Sequence, residues 1–307
     1  MTTLHVAAFY RFTPFEAPAD LRQPLYDALH MLGVRGTVLL ADEGVNGTIA
    51  GSRDGIEAAI ARLRALPGCA PLSPRLTETD TQPFHRLKVR LKREIVTMGM
   101  DGVNPNDHVG RYIAPEDWNA VISDPDTVVI DTRNDYEVGI GMFKGAINPQ
   151  TESFRDFPTW FEANRADFDG KRIAMYCTGG IRCEKATSHL KAVGIDDVLH
   201  LKGGILGYLE TVPQTESLWR GDCFVFDQRV AVNHDLAPSG HLQCFACKRP
   251  VDDAGQHDAR YVEGVSCAAC HDTTSDEQKR RFAERQRQVE RAEALGVHHI
   301  GHPVPAS

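Results

Sequence analysis

The segment RIAMYCTGGIRCEKATSHLKAVG, residues 172–194, contains in succession the signals of a strand, a tight loop and a helix. The apolar run of residues 172–177 predicts a buried strand that ends at Cys177. Residues 186–194 have helical apolar spacing, and Gly194 is placed to cap the C-terminus of that helix. A strand that runs through a glycine loop into a helix is typical of an α/β domain.

Further apolar strands flank this segment. Residues 127–133 (TVVIDTR) and 198–201 (VLHL) predict two more buried strands, and GAINP at 145–149 predicts a short one. Continuous apolar strands that alternate with helices are typical of a parallel sheet covered on both faces. We therefore assign an α/β domain with a parallel sheet to residues 115–220.

The loop after the strand, CTGGIR, is the segment in which chemistry is expected. Gly179 and Gly180 allow a tight turn that points backbone N–H groups at the sulfur of Cys177. The start of the next helix adds partial positive charge, and Arg182 and Lys185 add full charges. Each effect lowers a thiol pKa below its usual value of about 8.5, so the pattern predicts a reactive thiolate.

Most free cysteines are small buried hydrophobic residues, and this alternative applies to every thiol in the chain. It is weak for Cys177, because glycines, a helix start and cations converge on one atom. We retain it for Cys69 and Cys223, which lack such a setting. Cys183 either resolves an oxidised Cys177 or packs in the first helical turn, and we favour packing.

The spacing from Cys177 to Arg182 separates two classes of enzyme. Cysteine-dependent phosphatases use a loop one residue longer, which holds a phosphate, whereas four residues lie between the two groups here. A tighter loop suits a smaller group, such as a sulfane sulfur or an oxygen. The spacing therefore disfavours a phosphatase.

The first part of the chain carries short alternating elements of a different kind. Their order, βαββαβ, predicts a ferredoxin-like or acylphosphatase-like α+β domain over residues 1–98. The following residues, 99–114, are rich in Gly, Asn and Asp and predict a linker. The predicted strands are 6–12, 36–42, 45–51 and 87–98, and the predicted helices are 21–32 and 54–66.

The last of these strands carries a row of cations. They alternate with Leu87, Val89 and Leu91 and so project from one face of the sheet. This face is either an ordinary solvated surface or one that follows the phosphates of a nucleic acid. The four cations are Arg86, Lys88, Arg90 and Lys92.

Two Cys-x-x-Cys pairs follow near the C-terminus, with nineteen residues between them. This spacing is typical of a four-cysteine zinc site that is closed and structural. A redox pair or an iron–sulfur cluster is the alternative. We assign a zinc module to residues 221–307, with Cys244, Cys247, Cys267 and Cys270 as its ligands.

A polar helix is predicted directly after the second pair, from Ser275 to about Leu295. Five cations against Glu284 give residues 279–287 of this helix a local charge of +4, so it is either a solvated helix or one that faces RNA. The cations are Lys279, Arg280, Arg281, Arg285 and Arg287.

Composition limits the class of protein. The chain has 307 residues, is 42% hydrophobic and 25% charged, and carries a net charge of −8. No apolar run approaches the roughly 18 residues that a membrane-spanning helix needs, and no secretory signal opens the sequence. We therefore expect a cytoplasmic protein with no membrane partner.

The central domain resembles a rhodanese domain. The resemblance rests on residues 130–149, the CTGGIR loop and residues 201–210. It implies that Cys177 carries a persulfide or a related intermediate. It also implies that Asp131 and Arg133, in an Asp-x-Arg motif after the early strand, brace the site.

From about residue 5 to about residue 290, the chain resembles the bacterial tRNA uridine hydroxylase family. The marks are ADEGVNGTIAGS at 41–52, the loop at 177–186, the cysteine pairs and the arginine-rich helix. The resemblance implies oxygen-dependent conversion of the wobble uridine, position 34 of tRNA, to 5-hydroxyuridine. Cys177 is then essential, O2 is a co-substrate, and the partner is the anticodon loop of tRNA rather than DNA.

Two chemistries are open for Cys177. The thiolate either attacks C6 of uridine and raises the electron density at C5, or a peroxidised or persulfidated sulfur delivers the heteroatom directly. Arg182 and the loop amides would stabilise the developing anion. The supporting residues of the site are Thr178, Gly179, Gly180, Ile181, Asp131, Arg133, Cys183 and Lys185.

Two other functions are compatible with the same residues. One is a sulfurtransferase that acts through a Cys177 persulfide. The other is a tRNA-binding or redox-sensing module without turnover. The product distinguishes them, because a hydroxylase adds oxygen to uridine and a sulfurtransferase adds sulfur to an acceptor.

Overall fold

The computed structural model describes residues 3–79, 82–227 and 229–295. The chain divides into two compact units, and the Cys177 loop and the helix after it fall on opposite sides of the boundary between Gly180 and Ile181. The first unit contains the described part of residues 1–111, together with residues 154–169 and 181–200. The second unit contains residues 112–153 and 170–180, together with the described part of residues 201–307.

The N-terminal region is a five-stranded sheet with two helices. The strand order is β4-β1-β3-β2-β5, with β1 antiparallel to β3 and β4, and with β2 parallel to β5. The elements are β1 (Leu4–Phe12), α1 (Pro18–Met31), β2 (Arg35–Ala41), β3 (Gly44–Gly51), α2 (Arg53–Arg64), β4 (Arg75–Thr79) and β5 (Leu87–Leu91).

One apolar core joins the helices to this sheet. Ser52 caps α2 by accepting the N–H of Gly55 at 3.1 Å, and the buried residues of α2 recur at helical spacing. In the central strands, side chains alternate between the two faces of the sheet, and one of these faces is buried. The core includes Leu25, Leu29, Val38, Leu40, Val45, Ile49, Ile56, Leu63, Leu87 and Val89.

The predicted fold class is confirmed here, and the strand predicted at 87–98 begins at the predicted residue, but it ends at Leu91 and is not the fourth strand of the βαββαβ unit. The fourth strand of the βαββαβ unit is β4, which pairs with β1, and β5 is an addition on the opposite edge. β5 ends at Leu91 because its partner β2 ends at Ala41, and Leu91 is 44% exposed. The following residues turn, with the Glu94 carboxylate accepting the N–H groups of Met98 and Gly99.

The central region contains a four-stranded sheet in the order β6-β10-β9-β7, in which β7 and β9 are parallel. Short 3-10 turns occur at Phe154–Asp156, Arg165–Phe168 and Gln214–Glu216. The elements are β6 (Arg111–Ile113), α3 (Pro115–Ile122), β7 (Thr127–Asp131), α4 (Asp135–Val138), β8 (Gly141–Phe143), α5 (Phe157–Asn164), β9 (Arg172–Tyr176), α6 (Ile181–Ala192), β10 (Val198–Leu201), α7 (Gly204–Thr211) and β11 (Trp219–Gly221).

Two predictions for the central region need correction. The strand predicted at 145–149 is a single parallel bridge between Ile130 and Ile147 rather than a strand. A strand that the sequence does not signal, β8, lies just before it and pairs antiparallel with β11. The end of the predicted linker forms β6, since three residues suffice for an edge strand when a sheet is there to receive them.

The C-terminal region is built from short elements and one long helix. β14 and β15 flank the first cysteine pair, and α9 follows the second, close to the predicted bounds. Within the described residues, no helix is long and apolar enough to cross a membrane. The elements are β12 (Cys223–Phe224), β13 (Ala231–Val232), β14 (Leu242–Gln243), β15 (Pro250–Val251), α8 (Asp253–Gln256) and α9 (Asp276–Ala294).

Candidate active site and candidate metal centre

Cys177 lies one residue beyond β9, at the start of the glycine loop. The residue is 1% exposed, and the N–H of Gly180 donates to its Sγ at 3.1 Å. Gly180 has a φ of 101°, a conformation that a side chain would disfavour. The loop therefore has the amide-to-sulfur contact that the glycine pattern predicts.

The first turn of α7 donates hydrogen bonds to the backbone of the Cys177 loop. The N–H groups of Ile205 and Leu206 donate to the carbonyl oxygens of Cys177 and Thr178 at 2.9 and 3.1 Å. A Cβ on Gly204 would lie 2.4 Å from the Cys177 oxygen, and the φ of Gly204 is +63°. Only glycine allows this close approach, so Gly204 is a site residue that the sequence analysis missed.

A buried carboxylate, Glu137, lies beside the loop. The hydroxyl of Thr178 is 3.5 Å from its Oε1 and 3.4 Å from the carbonyl oxygen of Phe224. Glu137 also accepts the N–H of Asn134 at 3.0 Å, which completes a capping box at the start of α4. The Asn-x-x-Glu spacing after the Asp-x-Arg motif is the signal that could have identified this residue.

Asp131 and Arg133 form a fully buried ion pair. Arg133 donates to both Asp131 oxygens, with the closest contact at 2.6 Å, and to the carbonyl oxygens of Glu137 and Gly141. The guanidinium also lies 5.1 Å from the ring centre of Trp219. Burial alone would lower the pKa of Arg133, but the Asp131 carboxylate outweighs it and raises the pKa. This geometry agrees with a structural brace.

α6 begins directly after the loop and carries the second half of the motif. Its first residue, Ile181, packs against the buried side chains of Phe12 and Ile95. Arg182 and Cys183 follow and are both buried. The helix start therefore fixes these side chains within a packed environment.

Lys185 forms a buried charge cluster one turn into α6. Its Nζ lies 2.7 Å from Glu43 Oε2, 2.5 Å from Glu94 Oε2 and 3.1 Å from the carbonyl oxygen of Val96. From its place in the sequence, Lys185 is expected to be a cation that favours the thiolate. Two carboxylates offset its charge, so its contribution to the loop is anchorage of α6 rather than free positive charge.

The thiols of Cys69 and Cys223 lie outside the loop and behave as structural residues. Burial raises the pKa of Cys69 to about 11 and that of Cys223 to about 12. Both stay protonated at neutral pH. This agrees with the structural role expected for them.

The four C-terminal cysteines converge as predicted. Their sulfur atoms all lie within 4.8 Å of one another. The Cys244–Cys270 and Cys267–Cys270 sulfurs are 3.8 Å apart, and the Cys247–Cys267 sulfurs are 3.6 Å apart. The N–H of Cys267 also donates to the sulfur of Cys270 at 3.3 Å. Four thiolates in this arrangement can hold a metal ion.

The two basic segments lie on separate elements. On β5, Lys88 is half-buried and Arg90 is exposed, and the backbone ladder extends to the oxygen of Arg86 and the N–H of Lys92. On α9, Arg287 pairs with Glu284, and Arg285 donates to the oxygen of Gly264; Lys279, Arg280 and Arg281 are at least partly exposed.

Two family models match the chain. The UPF0176 acylphosphatase-like domain matches residues 4–95, and the rhodanese-like domain matches residues 114–211. A protein of Caulobacter vibrioides named tRNA uridine(34) hydroxylase is 56% identical over 99% of both chains. The chain belongs to the tRNA uridine(34) hydroxylase family.

Other members of the tRNA uridine(34) hydroxylase family are similarly close. The Gluconobacter oxydans protein is 55% identical and covers 97% of this chain and 96% of its own length. The Brucella anthropi protein is 55% identical, with coverages of 96% and 97%. Both carry the same name, and the matched lengths include the cysteine loop and both cysteine pairs.

Proposed function

We propose that this protein converts uridine 34 of tRNA to 5-hydroxyuridine in an oxygen-dependent reaction, with Cys177 as the catalytic residue. The observation that carries the proposal is the thiol of Cys177, buried at the end of β9 with the Gly180 N–H on its sulfur. The name of relatives at 55–56% identity over nearly the full length, tRNA uridine(34) hydroxylase, supports hydroxylation of uridine 34. The site of action we propose is the cytoplasm, where tRNA is modified.

The substrate fits this chemistry because the wobble base is unpaired. An unstacked base enters a pocket without the cost of opening a duplex. The exposed cations of β5 and of α9, such as Arg90 and Arg280, support a polyanionic partner, since an exposed cation can neutralise a phosphate. We propose the anticodon loop as the part of tRNA that is bound.

In the reaction we propose, the Cys177 thiolate adds to C6 of uridine, and the electron pair of the C5–C6 bond moves toward O4. C5 then takes one oxygen atom from O2. A two-electron reductant and two protons convert the other oxygen atom to water. Loss of the C5 proton expels the thiolate and restores the double bond, so the enzyme is an oxidoreductase of the monooxygenase type. Arg182 and the loop amides would stabilise the charge on O4.

We propose zinc as the ion of the four-cysteine cluster. Four sulfurs at about 2.3 Å from a tetrahedral zinc ion are about 3.8 Å apart, and three of the sulfur pairs here are 3.6–3.8 Å apart. All four ligand positions are protein thiolates, so no position is left for substrate. The role is structural, because the surrounding strands have only two residues each.

The test is mass spectrometry of tRNA nucleosides from cells that lack the gene. The strain is complemented with wild type, with Cys177→Ser, or with Cys223→Ser as a matched control for loss of a buried thiol. We expect a uridine heavier by one oxygen atom with wild type and with Cys223→Ser only. Its absence with wild type, or its presence with Cys177→Ser, contradicts the proposal.

The rhodanese-like match over residues 114–211 favours one second candidate, a sulfurtransferase. In that reaction Cys177 takes the outer sulfur of thiosulfate as a persulfide, releases sulfite and passes the sulfur to an acceptor thiolate. Purified wild type incubated with thiosulfate and a thiol then releases sulfite. Sulfite release without any hydroxylated uridine in the complemented strain would replace the hydroxylase proposal with this one.

A further inference from the structure

The knuckle between Cys244 and Cys247 presents an aromatic ring to solvent. Phe245 is 47% exposed, although large apolar side chains are normally buried. The turn that carries it is held at both ends, by the Cys244 N–H on the oxygen of Arg249 and the Lys248 N–H on the oxygen of Cys244. The ring is therefore exposed on a rigid support, which lowers the entropy lost on binding a ligand.

Two cations lie against this ring. The Nζ of Lys248 is 5.0 Å from the ring centre of Phe245, and the guanidinium carbon of Arg285 is 5.6 Å from it. Arg285 also lies 5.4 Å from the ring centre of Phe282 and donates to the oxygen of Gly264 at 3.1 Å. The guanidinium thus contacts two rings and one carbonyl oxygen.

No acidic side chain among the described residues pairs with either cation. The arginine ion pairs of this region join Arg260 to Asp258 and Arg287 to Glu284, and the other acidic partners, Asp253 and Asp272, pair with histidines. Two like charges that share one ring repel each other unless an anion lies between them. The arrangement combines a rigid π-face with two adjacent cations, which is how proteins bind single-stranded nucleic acid.

We propose that Phe245, Lys248 and Arg285 bind an unpaired nucleotide of tRNA, with the base stacked on Phe245 and its phosphate held by the two cations. The inference rests on the proposed function, because tRNA as substrate supplies the nucleotide. It adds a second contact on the metal module, apart from the chemistry at Cys177. Arginine suits the phosphate because its planar fork matches two phosphate oxygens.

A competing explanation assigns the two cations to the metal site itself. Four thiolates around a divalent ion carry a net charge of −2, and nearby cations would balance it. That explanation requires the cations but gives no function to the exposed ring. The two explanations therefore differ in what happens when Phe245 alone is changed.

The test measures the Kd of full-length, metal-loaded protein for a tRNA transcript that has uridine at position 34. We expect Phe245→Ala to weaken binding by about tenfold, the loss typical of one base–aromatic stack. Phe245→Leu keeps an apolar side chain without a π-face and should weaken binding similarly. Phe245→Trp keeps a π-face and should bind tRNA as wild type does. Lys248→Gln should lower the slope of log K against log salt by about one. Leu242→Ala, an exposed apolar residue on the same module, is the matched control.

Metal content, measured for every variant, shows that the module is intact. Binding by Phe245→Ala or Phe245→Leu within twofold of wild type overturns the inference. The inference is also overturned if Lys248→Gln or Arg285→Gln loses metal while Phe245→Ala binds tRNA normally. That result would mean that the two cations balance the charge of the thiolates. Wild type that hydroxylates uridine while the Phe245 variants bind normally refutes only this inference. Wild type that neither binds nor modifies tRNA refutes the proposed function as well.

Discussion

Cys177 follows β9 and has a backbone N–H on its sulfur, whereas the four C-terminal sulfurs lie within 4.8 Å of one another. The side chain is the same in both places. One thiol beside an amide donor remains available to react with a substrate, while four convergent thiols fill every coordination position of a metal ion. The number of sulfurs that meet decides which chemistry is possible.

Cys223 shows a third condition. It is fully buried, and burial raises its pKa to about 12, although Arg133 acts in the opposite direction. Burial, together with the nearby carboxylates of Glu137 and Asp131, keeps this thiol protonated. The loop of Cys177 differs by the amide contact from Gly180, which its neighbours in sequence provide.

Among the changes that test the difference between Cys177 and the four-cysteine cluster, Cys247→Ser is expected to have the largest effect. Removal of one ligand from a closed four-thiolate site should abolish tight metal binding, whose apparent free energy in small zinc modules is about 10–16 kcal/mol. The strands around the cluster are too short to persist without it. We expect fast amide hydrogen exchange over residues 242–270, measured together with bound metal per chain.

Cys177→Ser is the matched control for that experiment. It should retain metal and show normal exchange over the same residues, because the two sites share no ligand. Retention of stoichiometric metal and slow exchange by Cys247→Ser would contradict the four-thiolate assignment. It would also remove the contrast between the two cysteine sites.

The strand, loop and helix of residues 172–194 are predictable because their signals are local. An apolar run, two glycines and a helical period each act within a few residues. The four-cysteine cluster is predictable for a related reason, since ligand spacing is a property of the sequence. β4 is not predictable in this way, because it is a polar edge strand whose pairing with β1 is decided by the rest of the sheet.

The partners of Lys185 show the same limit at the candidate site. Glu43 and Glu94 lie 142 and 91 residues from it in sequence, and no local pattern joins them. Gly204 is similar, because its role depends on the carbonyl oxygens of a loop formed earlier in the chain. Sequence spacing indicates which residues carry the chemistry, and tertiary packing decides which residues hold them.

The next largest effect is expected at Lys185. Lys185→Met leaves the carboxylates of Glu43 and Glu94 without their buried counter-ion. Such a change typically costs about 3–5 kcal/mol of folding stability. Because both carboxylates are partly exposed, we expect a loss of about 3 kcal/mol. The measurement is the free energy of unfolding in urea. Lys191→Met on the same helix, whose Nζ bonds one carbonyl oxygen at an exposed position, should change it by less than about 0.5 kcal/mol.

The pH dependence of stability tests the same cluster. Burial opposes ionisation of Glu94, but hydrogen bonds from Lys185, Met98 and Gly99 outweigh it and lower its pKa below the ordinary 4.5. A lowered pKa stabilises the fold above the ordinary value, and this contribution is lost as the pH falls below it. Lys185→Met should therefore lose less stability than wild type between pH 5 and about pH 3. Equal acid sensitivity in the two proteins would exclude Lys185 as the group that holds Glu94 ionised.

The smallest effect is expected from changes on β5. These changes test the contribution of surface charge to tRNA binding. Leu87 and Val89 face the core, so Lys88 and Arg90 project from the other face of the sheet. If that face follows phosphates, Lys88→Gln with Arg90→Gln should lower the slope of log K against log salt for tRNA by about 1.5. Arg53→Gln with Arg62→Gln on α2 removes the same charge from the helical side of the sheet and should leave the slope within about 0.3 of wild type. Equal slopes for the two pairs would mean that β5 acts only through net charge, and α9 and its module would then be the segment that meets the RNA.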